Sequence, residues 1–442
     1  MTVTDGTYID SMNILGLIRR ACNCVDPRLM DHGFRVAGIT RQLMEAKGGY
    51  SQRQVRDICF LALLHDVGAY KTDEIARLLQ FETEQVQDHS LYGYLFIRYF
   101  SPLQDLAVCV LHHHTPWNIL KGMDGISDGN KEIAQLLYLA DRIDVALFYE
   151  KCGWEACRQR IGKYRGILFE PSLADMALDP AFSLRLKELI WDGRESWIRV
   201  VDQPYTPEEI RDYLMMLVYT IDFRSRHTVT HTITTTRVSW ELSGLMGLDE
   251  KYRHQIAYGA VLHDVGKVGI PVEILEFPGK LSPQAMAVMR THVDIGERIL
   301  GGEISETVKR IALRHHEKLD GSGYPRGLTA KELTVGERVV AVADIISALT
   351  GTRSYKEAYS RDRVTGILDG MKRDGLIDPD AVELFVRHYD EVMEQADRQC
   401  RPLLLRYERI QSEFRTMSRQ RPGEWVERDL TGSFSGDTEP GF

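Results

Sequence analysis

Apolar positions recur at helical rather than strand spacing along almost the whole chain. Val55, Ile58, Leu61 and Leu64 share one helical face that runs up to His65, and Gly68 is placed to end that helix. Much later, Ile256, Gly259, Ala260 and His263 repeat the pattern, with Gly266 in the ending position. Period-two alternation is short-lived, and the run TITTT at 232–236 lies inside a longer helical pattern. The spacing predicts an all-α fold. Pro204 breaks the chain, and Thr206-Pro207-Glu208-Glu209 reads as a helix start: a cap, proline in the first turn, then acids. The connecting helix that follows is expected to reach about Arg224, and a second, charged helix is expected over roughly Glu394 to Ser418. The last stretch is rich in Gly, Pro, Ser and acids and is expected to be disordered.

The histidines reveal an internal repeat. His32, His65-Asp66, His89, His112-His113 and Asp141 are followed, in the same order, by His231, His263-Asp264, His292, His315-His316 and Asp344. The offsets between partners are 199, 198, 203, 203 and 203 residues, so the spacing drifts by only a few positions. Flanking residues agree: Gly93 follows His89 as Gly296 follows His292, and Leu139-Ala140-Asp141 parallels Val342-Ala343-Asp344. The expected organisation is two tandem helical bundles from a duplication, with site residues projecting inward from several helices. Boundaries are placed at 9–203 for the first bundle, 204–224 for the connecting helix and 225–393 for the second bundle. A C-terminal helix at 394–420 and a tail at 421–442 complete the division.

Composition narrows the function. A chain of 442 residues with 43% hydrophobic residues can bury two or three cores. Its formal charge of −9 argues against a broad basic surface for DNA or RNA, although a small anion can still be held where cations concentrate. The seven cysteines include no C-x-x-C pair, which argues against a disulfide framework and against a cysteine zinc site. The first residues carry no signal-peptide pattern and no apolar run approaches a membrane span, so a soluble cytoplasmic protein is expected.

Each repeat gathers five imidazoles and two carboxylates. Seven ligands are too many for one tetrahedral zinc and suit two divalent transition metals such as iron or manganese. An adjacent His-Asp pair can serve such a centre, one side chain reaching a metal and the other bridging. Two metals about 4 Å apart activate water and clamp an in-line phosphoryl displacement, so hydrolysis of a phosphate ester fits. One buried histidine is ordinarily a satisfied core residue, and an HD dipeptide alone says little. A seven-residue set that occurs twice is not explained by packing, because each buried polar group would carry its own cost.

These residues resemble the HD phosphohydrolase superfamily. The second repeat resembles its HD-GYP branch, the bacterial cyclic dinucleotide phosphodiesterases, through HDVGKVGIPVEILEFPGKLSPQAMAVMRTHVDIGERIL, RHHEKLDGSGYPRGL and VADIISALTGTRSYKEA. The resemblance implies that His231, His263, Asp264, His292, His315, His316 and Asp344 hold two metals, with His227 standing where some members place a ligand for a third. It implies that Lys267 contacts the scissile phosphate, that Gly323, Tyr324 and Pro325 form a loop beside the substrate, and that Arg353 and Lys356 reach the cyclic dinucleotide. Where the family has a second aspartate three residues after the last ligand, this chain has Ser347, which predicts a weaker supporting contact. The implied product is a linear dinucleotide with a 5′-phosphate, formed from cyclic di-GMP or 3′3′-cyclic GMP-AMP. The other reading is a sensor that binds the nucleotide without turnover.

The first repeat keeps the expected ligands His32, His65, Asp66, His89, His112, His113 and Asp141. It has Ala69 in place of Lys267 and HHHTPWN in place of HHE-x-x-DGSGYP. That pattern predicts a metal site with a different pocket, serving either a second, 5′-nucleotidase-like phosphohydrolase activity or a regulatory or dimerising role. A homodimer is the oligomer such a role would give.

Overall fold

The computed structural model describes residues 14–24, 27–71, 88–192, 206–224, 229–302, 304–351 and 359–419. His227, Arg353, Lys356 and the tail 421–442 lie outside them. The described residues are helical, with only two isolated β-bridges, Arg165 to Phe169 and Asp320 to Thr329. They divide into two compact units.

The chain opens with α1 (Ile14–Asn23), which does not belong with the bundle that follows it in sequence. Its Leu17, Ile18 and Ala21 are buried, and Arg20 Nε donates to the carbonyl of Ile299 at 2.6 Å, within the unit that carries the second repeat. The expected boundary at residue 9 is therefore corrected.

The first unit contains α2 (Pro27–Lys47), α3 (Gln52–Leu64), α4 (Asp88–Phe100), α5 (Ala107–Leu111), α6 (Asp128–Asp144), α7 (Trp154–Lys163), α8 (Pro171–Leu178) and α9 (Pro180–Asp192). Ser51 starts α3 with a reciprocal capping box to Gln54. The predicted face of α3 is the buried one: Ile58, Leu61 and Leu64 are at most 4% exposed.

In the second unit, α10 (Pro207–Arg224) begins at the expected Thr206, whose hydroxyl accepts from Glu209 N while Glu209 accepts from Thr206 N. Next come α11 (Val229–Leu245), α12 (Glu250–Leu262), α13 (His292–Leu300), α14 (Glu306–Leu313), α15 (Val335–Thr350), α16 (Arg361–Arg373) and α17 (Pro379–Arg387). The TITTT run sits within α11. The threonines fit a helix because their hydroxyls bond back along it, as Thr236 does to the carbonyl of Thr232 at 2.8 Å. Val238 and Leu242 from α11, Ile256 and Ala260 from α12, Val339 and Val342 from α15 and Phe385 from α17 share one core.

The predicted charged C-terminal helix is α18 (Tyr389–Met417), longer at its start than expected. Its residues up to Glu408 belong to the second unit and those from Arg409 to Met417 to the first. There Phe414 stacks on Tyr92 with centroids 4.0 Å apart, and Tyr99 donates to Glu413 at 2.7 Å.

Candidate metal centres and substrate site

In the second unit, α11 supplies His231, the end of α12 supplies His263 and Asp264, α13 begins with His292, the end of α14 supplies His315 and His316, and α15 supplies Asp344. Helix ends suit this task, since side chains leaving the last turn converge on a space between elements. The two oxygens of Asp264 divide the site. Oδ2 lies 3.1 Å from His263 Nε2 and 3.4 Å from His231 Nε2, while Oδ1 lies 3.7 Å from His292 Nε2 and 4.0 Å from His315 Nε2. Asp344 joins both sides, with Oδ1 3.1 Å from His231 and Oδ2 3.6 Å from His316. A carboxylate flanked in this way is placed to bridge two cations.

The first unit repeats the arrangement. Asp66 Oδ2 faces His65 at 3.4 Å and His32 at 3.7 Å, and Oδ1 faces His89 and His113, each at 3.6 Å. Asp141 Oδ1 lies 3.2 Å from His32 Nε2, and its Oδ2 lies 3.6 Å from His114 Nδ1. The partner of the His315-His316 pair is thus His113-His114, not His112-His113. His112 stands apart from the ligand groups, with Nδ1 3.2 Å from the Thr115 hydroxyl. The reason is helical register. His113 Nδ1 bonds the carbonyl of Val110 as His315 Nδ1 bonds that of Ala312, at 2.5 and 2.7 Å, and only that phase turns the ring inward.

The same three-residue bond recurs at His65, His263 and His292, to Ala62, Ala260 and Met289. A ring whose Nδ1–H donates to a carbonyl has its Nε2 lone pair free for a metal. His231 is oriented differently: the Ser347 hydroxyl accepts from His231 Nδ1 at 2.9 Å and donates to the His231 carbonyl at 3.0 Å. Ser347 therefore keeps the supporting contact expected to be weakened. In the first unit Asp144 fills that role, with Oδ2 2.6 Å from His32 Nδ1.

Protonation agrees with a cation-binding pocket. Burial holds His316 down at about 3 and His65 at about 4, and keeps His315 well below its usual value. Burial opposes ionisation of Asp264, but His263 and Lys267 outweigh it and keep this carboxyl well below the usual carboxylate range. Burial likewise opposes protonation of His231, yet the Asp264 and Asp344 carboxylates push it up to about 9, and Asp141 and Asp144 push His32 up to about 10. Metal ions exchange for such protons. The residues fit divalent metals on a further ground: Asp264 Oδ1, Asp66 Oδ1 and His65 Nε2 are buried without a hydrogen-bond partner, an expensive arrangement that a cation relieves.

Lys267 Nζ sits 2.5 Å from Asp264 Oδ2. Beside it is the predicted loop. Tyr324 packs its ring 4.6 Å from that of His316 at a tilt of 32°, and the guanidinium of Arg290, which the sequence reading missed, lies over the Tyr324 ring, 4.7 Å from its centroid. Gly323 is needed for close approach, because a Cβ there would meet Lys318 N at 2.4 Å and Glu317 Cα at 2.5 Å. The peptide between Tyr324 and Pro325 is cis. Glu317, also missed, is buried and ties the loop shut: its two carboxylate oxygens accept from Arg326 N at 2.8 Å and Leu328 N at 2.9 Å. The glutamate directly after the histidine pair was the available signal, since a buried acid beside a glycine-rich turn needs backbone donors. In the first unit Thr115 occupies the corresponding place, and Ala69 is fully buried where Lys267 would be.

The helix ends expected at Gly68 and Gly266 come earlier, at Leu64 and Leu262. Each glycine lies in a 3-10 turn after the HD pair, where a Cβ would meet the carbonyl of His89 at 2.0 Å or of His292 at 1.8 Å. They let the HD turn touch the helix bearing the next ligand.

HD-domain family models match residues 29–146 and 216–381. The chain is 31% identical over 393 residues to the 3′3′-cGAMP-specific phosphodiesterase 1 of Vibrio cholerae, covering 84% of this chain and 90% of that protein. It is 36% identical over 187 residues to a cyclic di-GMP phosphodiesterase of Thermotoga maritima, 42% of this chain and 50% of that one. The crystal structure of a cyclic GMP-AMP specific phosphodiesterase of V. cholerae, V-cGAP3, shares the fold with a TM-score of 0.50 at 19% identity, covering 87% of this chain and 98% of that one. With its two helical HD domains and a relative matched over 90% of its length, the chain belongs to the tandem HD plus HD-GYP family of cyclic dinucleotide phosphodiesterases, within the HD phosphohydrolase superfamily.

Proposed function

We propose that the second unit hydrolyses a bacterial cyclic dinucleotide to a linear dinucleotide with a 5′-phosphate. The observation that carries this is the bridging position of Asp264 between two histidine pairs, with Lys267 on the same carboxylate. Divalent metals, iron or manganese by the mixed nitrogen and oxygen donor set, would supply Lewis acidity toward the phosphoryl oxygens and make water a better nucleophile. His231, His263, Asp264, His292, His315, His316 and Asp344 would hold them. Lys267 supplies the positive charge that the transition state needs on its phosphoryl oxygens. Tyr324 packs on His316 at the loop, and Arg290 over its ring brings a second cation beside the site. The bond from phosphorus to the 3′-oxygen breaks, one to the oxygen of water forms, and the proton lost by water balances the one gained by the 3′-hydroxyl.

His316 and Lys267 are 26% and 19% exposed, so the second site opens to solvent on the side where the substrate would arrive. The relative matched over most of its length is named for 3′3′-cGAMP, which makes that compound the first to try and cyclic di-GMP the second. Turnover of both, beside a phosphomonoester, tests the reading. Hydrolysis of a cyclic dinucleotide supports it; tight binding without turnover favours the sensor.

In the first unit the same ligand geometry supports a metal site of His32, His65, Asp66, His89, His113, His114 and Asp141. Removal of the 5′-phosphate from the linear product is the activity proposed for it. A His65→Ala, Asp66→Ala double variant that gives the wild-type product profile after long incubation would leave this unit a regulatory role.

A further inference from the structure

We propose that the two metal centres differ in how firmly they hold their ions, the first unit retaining metal and the second exchanging it, and that residues 144 and 347 set much of the difference. The inference rests on the reading that both units bind metal.

Three observations point the same way. The first concerns the partner of the leading histidine. Asp144 lies three residues after Asp141, and Ser347 three residues after Asp344, so they are structural counterparts. Asp144 is fully buried and is itself clamped by Arg35, whose Nε and Nη2 donate at 2.5 and 3.0 Å. It presents a fixed negative charge to His32 Nδ1 at 2.6 Å. Electron density moved into the ring makes Nε2 a stronger donor, and the charge-assisted bond locks the ring plane. Ser347 gives His231 a neutral acceptor at 2.9 Å, which fixes the tautomer but adds no charge.

The second concerns competing cations. In the second unit Lys267 Nζ lies 2.5 Å from Asp264 Oδ2, the oxygen that faces His231 and His263. An ammonium there competes with a metal for the bridging carboxylate. The first unit has Ala69 at that position. Its own nearby cation, Arg142, pairs with Asp141 Oδ2 at 2.6 Å and leaves Oδ1, the oxygen beside His32, to the site. Arg142 opposes the trend, but on Asp141 Oδ2, the oxygen that faces His114, and not on Asp66, the carboxylate between the two histidine pairs.

The third is access. Between counterparts, His32 is 0% exposed against 12% for His231, and His114 13% against 26% for His316, while His65 and His263 are both 0%. Ligand exchange and chelator attack both need an approach from solvent, and among the described residues the second site offers the wider one.

The test is metal release from the full-length, metal-loaded protein, followed by elemental analysis at intervals after a chelator such as EDTA is added. Two phases are expected. The fast one should disappear in His263→Ala and the slow one in His65→Ala. Asp144→Asn, which keeps the shape and removes the charge, should speed the slow phase by about 10–100-fold, the usual effect of losing such a partner. Ser347→Asp should slow the fast phase. A circular dichroism spectrum matching wild type guards against misfolding of the Asp144 variant, and the Ser347 variant tests the same claim independently. A single release rate, a fast phase that vanishes with His65, or two variants that leave the rates unchanged would overturn the proposal. Two phases in a protein with no activity on cyclic dinucleotides would overturn the functional reading alone.

Discussion

His113 and His114 show how one residue of register decides chemistry. Three histidines stand in a row at 112–114, and an inward-facing pair can be drawn from them in two ways. The carbonyl three residues back selects the second way, as it does at His65, His263, His292 and His315. A signal was present in the sequence: taking Thr115 as the counterpart of Glu317 pairs His113 and His114 with His315 and His316. Replacement of His114 by Ala should therefore lower the metal content of the first unit, while His112→Ala should leave it at wild type. Elemental analysis of the two variants, each carrying His263→Ala to silence the other centre, distinguishes them; the reverse pattern would restore the earlier register. At Lys267 the expectation is kinetic. Lys267→Ala should cut kcat on a cyclic dinucleotide by about 100–1000-fold, as loss of one charge-stabilising donor does. Metal content should not fall, because the variant removes a competitor of the metal rather than a ligand. A loss of metal in step with the loss of rate would assign Lys267 to holding the centre.

At the scale of elements, the ligands come from helix ends, and glycines bring those ends together. The Cβ of an alanine at 266 would lie 1.8 Å from the carbonyl of His292 and 2.5 Å from Gly296 N, both backbone atoms that cannot rotate away. Gly266→Ala should force α13 off the HD turn, cost about 1–3 kcal/mol in stability as overpacking does, and separate His292 from Asp264. A lowered melting temperature with metal lost from the second centre is the expected result; unchanged metal content would show that the turn can yield without moving His292. Helical periodicity was enough to predict α3 and α12, the cap and proline at Thr206-Pro207 marked the start of α10, and most of α18 was expected as a charged helix. It did not show why Gly68 and Gly266 matter. Their role depends on α4 and α13, elements that lie beyond any local window, so a helix-ending role was the natural local reading. Glu317 was missed for a related reason: its partners, Arg326 N and Leu328 N, are backbone groups that carry no side-chain signature.

For the whole molecule, the repeated ligand order in the sequence announced two like units, and the structure holds both sets on corresponding helices. The division of the chain between the units was less legible. Helix α1 precedes the first unit in sequence but buries Leu17 and Ile18 in the second, and the end of α18 returns to the first. Such exchanges are set by which apolar faces meet in three dimensions, and α1 has a buried face that sequence order alone assigns to its neighbour. Pairing α1 with α13 through Arg20 and Ile299 also places an N-terminal segment behind the helix that begins with His292. The central claim, hydrolysis at the Asp264 centre, is tested most directly by the mass of the product made from 3′3′-cGAMP or cyclic di-GMP in oxygen-18 water. In the His65→Ala, Asp66→Ala background, where the first unit cannot remove the 5′-phosphate, a linear dinucleotide carrying one heavy oxygen in that phosphate is expected, and adding Asp264→Asn should abolish it. An intact cyclic substrate, or the same labelled product after Asp264→Asn is added, would contradict the claim.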